Sequence, residues 1–399
     1  MTRVAWITPF APDHDGAGAH IRQAHLIDAL AGRAEVHLVV PGRLVDDRVR
    51  RGVASVREVA VPEPDPGRHG RAVRRLRDLR IATVGRQPRQ VDAFRQVQRR
   101  LAAVAADLGH VDVAVVEFAS LAPILPALRA RRKVLTFHYV DSTMSAHEAG
   151  IAPGARQRWL FAVDVRKARR FERWALGACD QAVAVSAEDA TDLGVHGASP
   201  IAVIPNGVDV ERFPATPLPH EPRLVFTGAL YTPANVDGAV RFCAEVLPLV
   251  REAVPGVELA IVGARPVPKV LDLARLPGVS VHPDVASVVP HVQAARVALV
   301  PLRIGSGSRL KALEAMAAGR PVVGTTIGLG GLEYVAGTHA LVADDPAGIA
   351  AATVRLLEDD ALAAALASAG RSLVEERYRW DRIGERFADL VLGPPADRS

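Results

Sequence analysis

Val297-Ala-Leu-Val300-Pro-Leu-Arg-Ile-Gly305-Ser-Gly307-Ser-Arg309-Leu-Lys311-Ala-Leu-Glu314-Ala-Met-Ala-Ala-Gly319-Arg-Pro321 reads as a strand, a turn and a helix, in that order. Four apolar residues at its start suit a strand buried on both faces. Gly305 and Gly307 let the backbone turn tightly and approach a ligand, and Ser306 or Ser308 is placed to cap the helix. Leu310, Leu313 and Ala317 share one helix face, and Gly319 ahead of Arg320-Pro321 stops it. A helix N-terminus attracts anions, and Arg309 and Lys311 add two cations to its first turn. Cations there oppose the helix dipole. An anionic ligand removes that conflict, and conflicts of this kind mark functional sites. Glu314 lies roughly 7.5 Å beyond Arg309 along the axis, about the span from a diphosphate to its ribose hydroxyls, where a carboxylate can accept both diol hydrogen bonds. The plainer reading of Lys311 and Glu314 is a surface ion pair; a glycine-serine turn directly after a buried strand argues for the ligand.

The same alternation of short apolar runs and longer Ala, Leu and Arg-rich stretches extends in both directions, as parallel strands with crossover helices require. Before the quoted segment it predicts strands at Val4–Thr8, Glu35–Val40, Val113–Val116, Lys133–Phe137, Gln181–Val185, Ile201–Ile204, Arg223–Thr227, Glu258–Val262 and Val279–His282, and after it at Pro321–Gly324 and Ala340–Ala343. Between the two halves, Pro205-Asn-Gly-Val-Asp209 and then Pro214, Pro217, Pro219 and Pro222 read as a linker. The expected domains are 1–210, which takes the acceptor, 211–375, which takes the donor, and a C-terminal helix over 376–399 packing back on the first. A helical stretch runs from Leu362 to Leu392 and ends at Pro394-Pro395. Two doubly wound domains facing a cleft put function in the loops that follow strands.

A chain of 399 residues exceeds one core. Its net charge of +5 rests on arginine, with Lys133, Lys167, Lys269 and Lys311 as its lysines; that bias is weak support for nucleic acid, and no nucleic-acid partner is expected. Cys179 and Cys243 show no CxxC spacing and read as buried free thiols. No leader precedes Val4 and no run of eighteen apolar residues occurs, so a cytoplasmic protein is expected, with peripheral attachment to the inner face of a membrane left open.

The quoted segment resembles the nucleotide-sugar site of the retaining GT-B glycosyltransferases of family 4 (group 1), in Gly305-x-Gly307, Lys311, Leu313-Glu314-Ala-Met-Ala317, Gly319 and Pro321-Val-Val323. Ile204-Pro-Asn-Gly-Val-Asp209, Gly228-Ala-Leu with Pro233-Ala-Asn235, and Ile261-Val-Gly263 resemble further parts of the family. The resemblance implies a GT-B fold, transfer of a sugar from a nucleotide-diphosphate-sugar with retention, ribose binding by Glu314, a diphosphate clamp of Arg309 and Lys311, and no metal or other cofactor. Eight residues before Glu314, where the family carries a first glutamate, stands Ser306.

After the first strand, Pro9-Phe-Ala-Pro-Asp-His-Asp-Gly16-Ala-Gly18 leads into a helix without the third glycine or strand-end acid of a dinucleotide fingerprint. By resemblance, Gly16 and Gly18 close over the donor, Gly228 begins the second domain's first loop, and Gly328 and Gly330 lie in the loop of residues 325–331, whose backbone N–H groups face the sugar; Ser306, Gly307 and Ser308 join them. His282-Pro-Asp-Val285 is expected near the base. His138 is expected beside the donor sugar, against the commoner structural role of a lone histidine. Asp141 and Glu117 are expected on the acceptor side, with a solvated rim carboxylate the alternative for Glu117. Arginines crowd residues 68–100 (Arg71, Arg74, Arg75, Arg77, Arg80) and 156–173 (Arg166, Lys167, Arg169, Arg170); these read as a solvated basic face or a contact for anionic lipid. The acceptor is a small molecule, a glycan or a lipid-linked group. A GT-B epimerase or hydrolase, or an inactive nucleotide-binding partner subunit prompted by Ser306, are the rival readings.

Overall fold

The computed structural model describes residues 1–16, 18–60, 87–197, 200–307 and 309–393. The chain falls into two units, Met1–Pro205 with the segment from Ile383 onward, and Asn206–Arg382. Each is α/β with a doubly wound parallel sheet.

The first sheet has seven strands: β1 (Thr2–Ile7), β2 (Ala34–Pro41), β3 (Ser55–Val59), β4 (Val111–Glu117), β5 (Ala130–Phe137), β6 (Gln181–Ala184) and β7 (Ile201–Val203). Their order is β3-β2-β1-β4-β5-β6-β7. β3 was not expected; it pairs in parallel with β2, His37 beside Ser55. The order reverses between β1 and β4, which pair from Val4↔Val113 to Ile7↔Val116, and the crevice at such a reversal is where doubly wound sheets take ligands. The C-terminal helix Trp380–Leu392 brings Phe387 edge-on to Trp6, ring centroids 5.7 Å apart. Close approach requires Gly384, where a Cβ would stand 2.7 Å from that of Ala29.

The second sheet has β8 (Arg223–Thr227), β9 (Glu258–Gly263), β10 (Val279–Pro283), β11 (Val297–Val300), β12 (Val322–Gly324) and β13 (Leu341–Val342), ordered β10-β9-β8-β11-β12-β13. The reversal falls between β8 and β11, and β11 leads straight into the glycine-serine turn. In the helix that follows, Leu310–Ala317, all of Ala312, Leu313, Ala315, Met316 and Ala317 are buried, while Leu310 is only partly covered. The remaining stripe of that helix is Lys311 and Glu314.

The helical stretch expected at Leu362–Leu392 is two helices, Asp360–Arg377 and Trp380–Leu392. Tyr378 interrupts them because its carbonyl accepts from Val208 N at 2.7 Å and its hydroxyl from Glu333 N at 2.7 Å. Gly207 is needed beside this break, since a Cβ there would lie 2.8 Å from the Trp380 ring. No described helix is long and apolar enough to cross a membrane.

Candidate functional site

Arg309 itself occupies the N-cap position of the helix Leu310–Ala317, with no side-chain capping bond. This corrects the expected serine cap: Ser306 lends its carbonyl instead, and Ser308 lies outside the described residues. Gly307 adopts φ +84°, a conformation that glycine takes without strain. The Arg309 guanidinium folds back to donate to Ser306 O at 2.6 Å and to Ile327 O at 3.3 Å. A side chain on Gly305 would collide with it. Arg309 therefore ties the turn after β11 to the loop after β12.

Lys311 donates to Asn235 Oδ1 at 2.6 Å and stands 4.2 Å over the Phe226 ring. Burial and the neighbouring Arg309 cation push its amine down to about 7, against a smaller contrary pull from Glu314. Burial raises the Glu314 carboxyl above its ordinary value, with Arg212 and Lys311 opposing. No described residue donates a hydrogen bond to its side chain. Gly228 (φ +150°) follows β8 at the same point: a Cβ there would lie 2.7 Å from Asn235 Nδ2 and 2.9 Å from Lys311 Nζ. The structure thus brings Gly228, Arg309, Lys311 and Glu314 to the β8/β11 reversal and adds Asn235, in the first turn of the helix Pro233–Arg241.

The loop after β12 departs from expectation. Gly328 N donates to Thr325 Oγ1 at 2.8 Å, Leu329 N to Thr325 O and Gly330 N to Ile327 O. These N–H groups close the loop on itself instead of facing a ligand. Gly328 is required because a side chain would strike Val300 O. Toward the expected base region, the rings of His282 and His291 lie 4.5 Å apart, and the Arg265 guanidinium sits 4.0 Å above the half-exposed ring of Tyr231.

In the first unit the loop after β1 is held by a histidine that the sequence reading passed over. His14 Nδ1 lies 2.6 Å from Asp46 Oδ2 and Nε2 lies 2.7 Å from Asp28 Oδ2. Burial disfavours the charged ring, but the two carboxylates outweigh it and raise His14, while Asp46 is held down at about 2. Donating to both partners requires the imidazolium. His14, His25 and Asp28 are also the one group of three among the described residues whose donor atoms are close enough for a metal ion, and Asp13-His14-Asp15 forms an Asp-x-Asp. With both ring nitrogens of His14 engaged by carboxylates, the observed geometry is that of an ion-paired clamp. Gly18 (φ +52°) opens the helix Ala19–Leu30, and Gly16 lies where a Cβ would meet that of His20 at 2.8 Å.

Glu117 and His138 meet at the β1/β4 reversal. Glu117 has no exposed surface and lies beside Thr136 in the sheet, whose hydroxyl donates to it at 3.2 Å. His138 Nε2 stands 2.5 Å from its other oxygen. Glu117 is therefore neither a rim carboxylate nor free for an acceptor: it orients His138. Burial lowers His138 despite Glu117, so the neutral ring donates from Nε2 and keeps Nδ1 as an acceptor. Phe118, at φ +71°, stacks on His138 with centroids 3.8 Å apart. Arg22, fully buried and unforeseen, donates to the carbonyls of Ile204 and Pro205 at 2.8 and 2.7 Å. Asp141 is buried at the start of the helix Asp141–Ile151, and burial with Glu172, Asp164 and Glu148 pushes it up to about 8. That environment favours its neutral form. Arg71, Arg74, Arg75, Arg77 and Arg80 lie outside the described residues.

Comparison with known proteins follows the same division of the chain. Residues 15–212 match the family described as Glycosyltransferase Family 4, and residues 221–359 match Glycosyl transferases group 1. Glycogen synthase of Mycobacterium tuberculosis is 30% identical over 270 residues, 63% of this chain and 62% of that protein. The GDP-mannose-dependent alpha-(1-6)-phosphatidylinositol monomannoside mannosyltransferase of the same organism is 32% identical over 228 residues, 50% of this chain and 58% of that protein. The matches thus span less than two thirds of either relative. Among solved structures, sucrose-phosphate synthase from Thermosynechococcus elongatus superimposes with a TM-score of 0.73 at 17% identity over 98% of both chains. Anabaena HepE in complex with UDP and glucose does so with 0.67 at 13% identity over 98% of this chain and 99% of that one. The fold is GT-B.

Proposed function

We propose, for a chain that belongs to the family 4 and group 1 glycosyltransferases, the transfer of a sugar from a nucleotide-diphosphate-sugar to an acceptor hydroxyl. The observation that carries this reading is the stripe of Lys311 and Glu314 on an otherwise buried helix, with Arg309 at its N-terminus. Lys311 and the helix end take the diphosphate and Glu314 the ribose diol. As the sugar departs, negative charge grows on the diphosphate, and fixed positive groups stabilise it more in the transition state than before. His138, held by Glu117, serves the sugar, and the acceptor, whether small molecule, glycan or lipid-linked, is assigned to the first unit. Retention of configuration and a reaction without metal or cofactor are part of this reading. The relatives and neighbours support the donor class, since one is named for GDP-mannose and another holds UDP. The two free, buried cysteines fit a reducing, cytoplasmic compartment.

A second reading rests on Ser306, which stands where the family has a glutamate: a partner subunit that binds nucleotide and transfers nothing. Thermal unfolding with millimolar UDP, GDP, ADP or dTDP tests the pocket, since ligand at 100 times its Kd adds about 2.7 kcal/mol. The expected result is a raised midpoint with at least one diphosphate, lost in Glu314→Ala. Turnover of the matching nucleotide-sugar with acceptor then separates the enzyme from the inactive subunit, and turnover without acceptor would favour an epimerase or hydrolase.

A further inference from the structure

The helix Ala155–Gly177 in the first unit has a face that neither the fold nor glycosyl transfer uses. Its two acids point inward. Asp164 is buried and accepts from Arg89 N and Nε at 3.0 and 3.2 Å, and Glu172 is buried and accepts from Ser142 N and Oγ at 2.9 and 2.7 Å. Outward lie Arg156, Trp159, Arg166, Arg170, Arg173 and Trp174, all exposed. With 3.6 residues per turn, these six fall within a strip about 100° wide, and Trp159 and Trp174 are about 22 Å apart along it. No acid shares the strip, and none of its four arginines forms an ion pair with a described residue.

The tryptophans decide what such a strip is for. Trp159 is 52% exposed and Trp174 45%, whereas Trp6 and Trp380 are buried at 0% and 6%. A solvated basic face needs no tryptophan, and an indole left in water forgoes most of its burial energy. An indole is at home at the headgroup level of a bilayer, where one end is apolar and the other wet, and arginine is drawn to anionic headgroups there. Small or apolar Ala155, Val163 and Gly177 fill the rest of the strip, so nothing bulky within it holds the helix off a flat surface.

We propose that this helix face docks the protein onto the surface of a bilayer containing anionic lipid, lying along it with Trp159 and Trp174 in the headgroup layer and the four arginines on phosphates. Docking is shallow, because the apolar side of the helix is already occupied by Phe171, Ala175 and Leu176 in the core of its own unit. The proposal does not depend on the donor site, which lies in the other unit.

The test is co-sedimentation of the full chain with vesicles of phosphatidylcholine, with and without about one-third phosphatidylglycerol, at low and high salt. Saturable binding is expected only with phosphatidylglycerol and is lost at high salt. Each basic residue at such a surface is worth about five-fold in partitioning, so Arg156→Gln/Arg166→Gln/Arg170→Gln/Arg173→Gln should weaken it several hundred-fold. Trp159→Ala/Trp174→Ala should weaken it at least ten-fold. Quenching of tryptophan emission by brominated lipid, present in the wild type and absent from the double tryptophan variant, reports the indoles directly. An unchanged thermal midpoint in both variants shows that the loss is not misfolding. Equal binding to pure phosphatidylcholine, wild-type binding by the arginine variant, or tighter binding to polyphosphate or single-stranded RNA than to vesicles would overturn the proposal, the last assigning the face to a soluble polyanion.

Discussion

Binding of a nucleoside diphosphate at pH 8 should draw close to one proton onto Lys311. In the empty site burial and Arg309 bring that amine down to about 7, so at pH 8 only about a tenth of it is charged. A diphosphate at the helix N-terminus supplies the anion that the first turn lacks and restores the amine toward its ordinary value of 10.5. Uptake on binding is then about 0.9 proton at pH 8, about 0.5 at pH 7 and about 0.1 at pH 6. The sign is fixed: the bound state holds the extra proton, so affinity falls as pH rises above 7, by up to about ten-fold per unit. The nucleotide's own last ionisation, near pH 6, is about 99% complete at pH 8 and does not confuse the count there. Calorimetric titration with the diphosphate found to bind, at pH 8 in two buffers of different ionisation enthalpy, gives the proton number as a slope. A wild-type slope near zero with measurable binding would refute the assignment of Lys311 to the diphosphate. So would an unchanged slope in Lys311→Met.

Three further outcomes follow from the same geometry. Glu314→Gln should weaken nucleoside diphosphate binding by about 1.5 to 3 kcal/mol, the worth of hydrogen bonds to a charged group, while inorganic pyrophosphate binds as before; equal loss of both ligands in titration would remove Glu314 from the ribose. Gly228→Ala sets a Cβ against Asn235 Nδ2 and Lys311 Nζ at a backbone φ of +150°, a strain of about 1 to 3 kcal/mol; the same titration should show at least ten-fold weaker nucleotide binding, and normal affinity would mean that neither side chain is used. His14, raised by Asp28 and Asp46, contributes stability that is complete below its unfolded value of 6.5 and is lost as pH rises through its folded value. The midpoint of His14→Gln should therefore lie below that of the wild type at pH 6 by an amount reflecting about 1 to 2 kcal/mol, a gap that closes as pH rises through the folded value; a pH-independent gap would mean that the ring is not held as an imidazolium.

Segments whose reading depends on nearby residues were legible in the sequence. The run from Val297 to Pro321 carries its own strand, turn and stop, and the structure repeats that order. Where a residue answers to a distant partner, the sequence reading went astray. Ser55–Val59 has two valines, Val56 and Val59, three residues apart among polar neighbours, and becomes a strand only because β2 lies beside it. Tyr378 breaks a helix without proline or glycine, since its carbonyl is claimed by Val208, 170 residues earlier. Glu117 resembled a rim carboxylate until the pairing of β4 with β5 set it beside Thr136 and beneath His138.

The donor site joins both kinds of information. Local rules placed two cations where the helix dipole disfavours them, and that conflict could be read directly. Its size could not, because it depends on burial and on Phe226 and Asn235, which reach Lys311 from a strand and a helix more than seventy residues away. In the folded protein the conflict is larger than the sequence implied: the amine of Lys311 is pushed toward neutrality while the carboxyl of Glu314 three residues on is pushed the same way. Each group is held where its charged form is disfavoured, and neither neighbour restores it. A fold selected only for stability would replace both with apolar side chains, as it has at Ala312, Leu313, Ala315, Met316 and Ala317 around them. What reconciles the stripe with the rest of its helix is a ligand that brings an anion to one end and hydroxyl donors to the other, and a nucleoside diphosphate does both.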